Sequence, residues 1–163
     1  MTSSDPSQYS TSLYSSTDDS PDDSDESTSH YLLVIDDAPS RALADYPLPA
    51  VRAKLVCLDP HGCPKPIPAD RAHRMICSLD LDIVDSCPYP STSSASILSG
   101  QRHAHGNCKS DGYVYFIFEE LTIHCSGTFV LTAQCFNLGN LIPGMPQTSL
   151  ASARSSPIHV TTQ

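Results

Sequence analysis

The chain has 163 residues and a formal net charge of −9, a size that suits one domain with a modest core plus a tail. The charge is uneven: residues 1–29 hold seven acids and no Lys or Arg, while residues 30–163 hold eleven acids against nine bases. The acidity therefore belongs to the N-terminal stretch, and the remainder leaves room only for a small, local basic patch, not the broad cationic surface usual in nucleic-acid binders.

Residues 1–29 contain fifteen Ser or Thr among those acids. With almost nothing to bury, the segment cannot offset its ordering entropy and is expected to be a disordered tail. Ser15, Ser16 and Ser20 each have an acid three positions on, the pattern that acidophilic kinases favour. The opening residues have neither the basic start nor the apolar centre of a signal peptide. The seven cysteines are therefore expected to be reduced, in the cytosol or nucleus, and to pack as small hydrophobes. No run approaches the roughly 20 apolar residues that span a bilayer, so a membrane is not an expected partner.

Order is expected from "HYLLVI" (30–35) onward, giving a single domain over 30–163. The apolar runs are short, β-branched or aromatic, and bounded by Pro, Gly, Asn or Asp, which is the strand signature. Strands are predicted near 31–35, 50–58, 73–84, 112–118, 121–125, 127–137 and 157–161. Along 127–137, Phe129, Leu131, Ala133 and Cys135 alternate with Thr128, Thr132 and Gln134, the period of two of a strand with one buried face. The run 113–118 is apolar on both faces and is expected to be a central strand. "PADRAHRM" (68–75) allows one helical turn at most, and fourteen prolines oppose long helices. Segments 86–96 and 139–156 read as long, mobile loops. The fold class expected is all-β, an immunoglobulin-like antiparallel β-sandwich with a disordered N-terminal tail.

The chemistry is sparse. There is no phosphate-binding Gly-rich loop, no G-x-S-x-G elbow and no evident small-molecule substrate site. Glu119 and Glu120 are adjacent, so on a strand they point to opposite faces and cannot flank one bond. His103, His105 and Cys108 in "RHAHGNC" could supply three zinc ligands, but the C-x2-C knuckle is missing and a polar His-rich loop is the preferred reading. No metal or other cofactor is expected, and the chain is not expected to be an enzyme. Arg41, Arg52 and Lys54 flank "ALADYPLPAV", and Lys65, Arg71 and Arg74 follow. Such charges support weak DNA binding through counterion release, or form an ordinary solvated surface.

The order and spacing of several blocks resemble the velvet domain of fungal developmental regulators, across roughly 31–161. "YLLVIDDAPSRA" (31–42) is similar to the family's opening strand and its Pro-x-Arg-Ala. "DYPLPAVRAKLVCLDPHG" (45–62) is similar to its Asp-Pro-Pro-Pro block, and "MICSLDLDIVD" (75–85) to the strand before its variable insertion. "FIFEELTIHCSGTFVLTAQCFNL" (116–138) follows, without a gap, the family's Phe-x-Phe strand, its turn and its Thr-Phe-x-Leu strand, read here as a central hairpin turning at Ser126-Gly127. "SSPIHVTT" (155–162) is similar to the final strand.

The resemblance implies a Rel-homology-like sandwich, homo- or heterodimerisation with a velvet-family protein, DNA binding, and location in the nucleus as well as the cytoplasm. It also implies control of sporulation, development and secondary metabolism. Arg41 matches the Pro-x-Arg arginine and is the first candidate DNA contact, followed by Arg52, Lys54 and Lys65. The family's basic loop after Pro-x-Arg-Ala is reduced here to "LADY", without Lys or Arg, and Val130, Thr132 and His124 replace residues often basic. The alternative is therefore a dimerisation module without DNA affinity that modulates a more basic velvet partner.

Overall fold

The computed structural model describes residues 29–85 and 97–163. The tail expected to be disordered, with Ser15, Ser16 and Ser20, and the expected loop at 86–96, with Cys87, lie outside the described residues except for Ser29.

In chain order the strands are β1 (His30–Asp37), β2 (Arg41–Leu43), β3 (Val51–Leu58), β4 (Pro64–Lys65) and β5 (Met75–Asp85). They continue with β6 (Leu98–Ser99), β7 (His103–His105), β8 (Asn107–Cys108) and β9 (Val114–Phe118). The last are β10 (Thr122–Ile123), β11 (Gly127–Asn137), β12 (Ala151–Arg154) and β13 (Ile158–Thr161). The helix α1 (Ala69–Ala72) is the single turn that "PADRAHRM" allows. Among the described residues no helix is long and apolar enough to cross a membrane.

The protein is all-β, as its short alternating runs require. The first sheet runs β1-β3-β9-β8 with β4 against β3, and the second runs β2-β13-β11-β5-β7 with β12 against β11. Pairing is antiparallel except between β13 and β2. The strongest register joins β5 to β11 from Asn137↔Met75 to Thr128↔Asp85. It places Leu79, Leu81, Leu131, Ala133, Cys77 and Cys135 on the inner face, all essentially buried. The first sheet offers Val51, Ala53, Leu55, Val114, Phe116 and Phe118 to the same core. Each fully buried Leu or Phe contributes about 1.5–3 kcal/mol, which closes the sheets on one another. β9 is interior to its sheet, between β3 and β8, as the apolar run 113–118 requires.

Two expectations are corrected. Ser126-Gly127 does not turn a hairpin between β10 and β11: β10 pairs with β6 in a separate two-stranded ribbon. Both edges of β11 are already taken, by β5 on one side and by β12 and β13 on the other, so no ladder is left for β10. The expected loop 139–156 contains β12, which pairs along Thr132–Cys135. Its Ala151 and Ala153 are partly buried against the core, a short alternation that the surrounding Ser and Pro residues hide.

Candidate binding face on the first sheet

Alternation along β3 decides where its two cations go. Val51, Ala53, Leu55 and Cys57 point inward, so Arg52 and Lys54 stand together on the outer face. Register sets Lys54 opposite Tyr115 and Arg52 opposite Ile117 on β9. The Arg52 guanidinium lies 5.9 Å from the centre of the Tyr115 ring, and Lys109 Nζ reaches the same ring at 4.4 Å. Lys54 Nζ lies 5.2 Å from the Tyr113 ring. Cations at these separations are held by the ring quadrupole, worth about 0.5–1 kcal/mol at exposed sites.

Carboxylates fix the ends of this layer. Tyr115 donates its hydroxyl to Asp111 Oδ2 at 2.6 Å, and Asp111 Oδ1 accepts the Tyr113 N–H at 2.9 Å. The Tyr115 hydrogen bond, then the Tyr113 N–H, hold the Asp111 carboxyl below its ordinary value, and the same bond raises the Tyr115 phenol. Arg52 Nε donates to Asp36 Oδ1 at 3.1 Å, which strengthens its already firm positive charge. Beside these groups Leu32, Val34 and Ile117 are 50%, 37% and 41% exposed. The face thus combines apolar side chains, tyrosines and partly neutralised cations.

Of the four candidate DNA contacts, the structure brings together Arg52 and Lys54. Arg41 lies on β2 in the second sheet, opposite His159, exposed and without an ion-pair partner among the described residues. Lys65 pairs opposite the inward-facing Cys57, so its register places it on the other side of the first sheet from Arg52 and Lys54. Lys109, Tyr113 and Tyr115 were not singled out from the sequence. The alternation Tyr113, Tyr115, Ile117 was the available signal, because it sets all three on one side of the strand.

The possible zinc ligands do not assemble. His103 and His105 are exposed on β7 of the second sheet, whereas Cys108 belongs to β8 of the first and donates its thiol to the Ile67 carbonyl at 3.3 Å. No group of three His, Cys, Asp or Glu side chains suited to a metal occurs among the described residues. Among the described cysteines, Cys57, Cys77, Cys125 and Cys135 are buried, Cys108 is half-buried and Cys63 is exposed.

No family model and no curated protein matches the chain. Among solved structures it is similar to a chain from AAF fimbriae of enteroaggregative Escherichia coli, described for fibronectin binding and biofilm formation. That likeness has 8% identity and a TM-score of 0.31, covering 82% of this chain and 100% of the other. A likeness at that level carries no argument about this protein.

Proposed function

We propose that the protein is a velvet-like transcriptional regulator whose sandwich pairs with a second velvet-family domain through the outer face of the first sheet. The observation that carries this reading is the mixture on that face: exposed Leu32, Val34 and Ile117 beside Arg52, Tyr113 and Tyr115. Interfaces are enriched in Tyr and Arg, and their energy concentrates in a few such anchors packed with apolar side chains. A face with Asp36 on Arg52 and Asp111 beside Lys109 is poorly suited to hold a polyanion alone. In this reading the more basic partner supplies most of the contact with DNA, and the pair controls fungal development from the nucleus.

Direct DNA binding is the second reading. It is favoured by Arg41, exposed and without an ion-pair partner among the described residues, and by Lys54 and Lys109, which meet tyrosine rings. In that reading these side chains contact phosphates, which position the protein without reading sequence. Mobility shift on duplex promoter fragments at two salt concentrations separates the readings. Pairing first requires a shift only after a second velvet-domain protein is added. A salt-sensitive shift by the chain alone, lost in Lys54→Ala and Lys109→Ala, favours direct binding instead.

A further inference from the structure

The ribbon of β6 and β10 holds an arrangement that the regulatory reading does not use. Ser99 Oγ lies 2.6 Å from His124 Nε2, and His124 Nδ1 lies 2.8 Å from Asp45 Oδ1. A carboxylate only accepts, so the hydrogen between Asp45 and His124 sits on Nδ1. In the neutral ring Nε2 is then the acceptor, and Ser99 donates its hydroxyl to it. That is the orientation in which a serine is activated: base on the nucleophile, carboxylate on the far side of the base.

The backbone fixes all three positions. Ser99 pairs with Thr122, and the His124 N–H donates to the Ile97 carbonyl at 2.9 Å, setting Ser99 and His124 on neighbouring strands. Asp45 reaches the ribbon from the first part of the chain, its N–H donating to the Ile123 carbonyl at 2.9 Å. Two residues on, Pro47 bridges to Thr122, and the Leu48 N–H donates to the Leu121 carbonyl at 2.7 Å.

The backbone around the trio supplies a second observation. Asp45 at φ 63° and Glu120 at φ 56° are the two non-glycine residues with positive φ among those described, and both border this ribbon. Such strain persists only where the surroundings impose it, and it gathers at functional sites. The Gly100 N–H, immediately after Ser99, makes no hydrogen bond among the described residues. The amide after a nucleophilic serine is the usual donor to an oxyanion.

We infer that Ser99, His124 and Asp45 form an acyl-transfer site that hydrolyses carboxylic esters. Ser99 Oγ bonds to the ester carbonyl carbon while His124 Nε2 takes the hydroxyl proton and the carbonyl oxygen gathers charge beside the Gly100 N–H. The tetrahedral adduct collapses, the bond to the leaving alkoxide breaks, and His124 returns the proton to it as the alcohol departs. Water then attacks the acyl-serine, with His124 taking its proton. The bond from the acyl carbon to Ser99 Oγ breaks, His124 returns the proton to Oγ, the acid leaves, and one ester and one water have become an acid and an alcohol. Ser99 and His124 are catalytic residues, and Asp45 is a positioning residue that holds the tautomer. All three residues are exposed, so an ester reaches Ser99 directly from solvent. Glu119 and Glu120 in the adjoining turn select neutral or cationic esters over anionic ones.

The test uses the full chain with p-nitrophenyl acetate and, separately, a fluorophosphonate probe located by peptide mass spectrometry. The expected results are a burst of nitrophenol, one probe per chain on Ser99, and loss of about 10²-fold or more of the rate in Ser99→Ala and His124→Ala. Asp45→Asn suits the same backbone and should lower kcat by about 10²-fold with KM unchanged, whereas a merely structural role would shift thermal unfolding instead. His61→Ala, in an exposed loop, should leave the rate unchanged. Probe on another residue, or hydrolysis that persists in Ser99→Ala, would overturn the inference, as would no hydrolysis above the Ser99→Ala background.

Discussion

Replacing Gly100 by alanine perturbs the corner where β6 meets the Glu119–Leu121 turn, and its cost can be worked from geometry. Gly100 has φ +104°, and a Cβ there would overlap the Glu120 carbonyl oxygen, 2.7 Å from the carbonyl carbon and 2.9 Å from Leu121 Cα. Every clashing atom is backbone, so no rotamer change relieves it. The positive φ alone costs about 1–3 kcal/mol, and forcing backbone apart in a packed region adds about 1–3 more. Gly62 is the matched control: its φ is +80°, but a Cβ would meet nothing within 4 Å. Gly62→Ala should therefore cost only the conformational part, the same about 1–3 kcal/mol. The assay is urea unfolding followed by circular dichroism, with the difference between the variants isolating the overlap. Gly100→Ala should be about 1–3 kcal/mol the less stable of the two, and its Ser99 should lose reactivity as β6 shifts. Equal stability of the two variants would refute the close approach of Gly100 to the Glu120 carbonyl.

Cys77 and Cys135 face each other across β5 and β11, and burial pushes each thiol up to about 12. A raised folded value means that the native state keeps the proton where the unfolded chain loses it. Stability should be complete below about pH 8.5 and fall by up to about 1.4 kcal/mol per pH unit per thiol above it, measured by urea unfolding from pH 8 to 11. At pH 8, iodoacetamide should modify exposed Cys63 rapidly and Cys77 and Cys135 only after denaturation, read by mass spectrometry. Tyr115→Phe removes the main hydrogen bond that lowers Asp111, so NMR titration should find the Asp111 carboxyl shifted upward from its value in the parent protein. Asp36→Asn frees Arg52 from its carboxylate and should strengthen any direct binding to duplex DNA, with a steeper salt dependence in filter binding.

The longer strands were legible because their residues alternate over enough positions to outweigh local noise. β3 and β11 fall within a residue of the runs that predict them, and their inward residues are the ones that periodicity selects. β4, β6 and β8 have two residues each, too few for any period, and exist because a neighbouring strand offers them an edge. The misplaced hairpin has a related cause: strand runs separated by Ser126-Gly127 match the local signal, but pairing is decided by which edges are free. Half of the candidate face was readable, since "VRAK" already puts Arg52 and Lys54 together. Lys109 joins them only through tertiary packing on Tyr115. The Ser99–His124–Asp45 trio was not readable at all, because its members are 25 and 79 residues apart and no local motif connects them.

The proposed pairing of this sandwich with a velvet-family domain runs through the outer face of its first sheet. Sedimentation velocity of the purified chain, alone and mixed with a second velvet-domain protein, tests it most directly, using Val34→Asp and Ile117→Asp as the disrupting variants. Both side chains are exposed, so the substitutions leave the core intact. The expected result is a one-to-one complex with the second protein that each variant weakens by about tenfold or more, the loss of about 1.4 kcal/mol expected when a charge enters an apolar contact. Two non-associating species, or a complex indifferent to both variants, would contradict it.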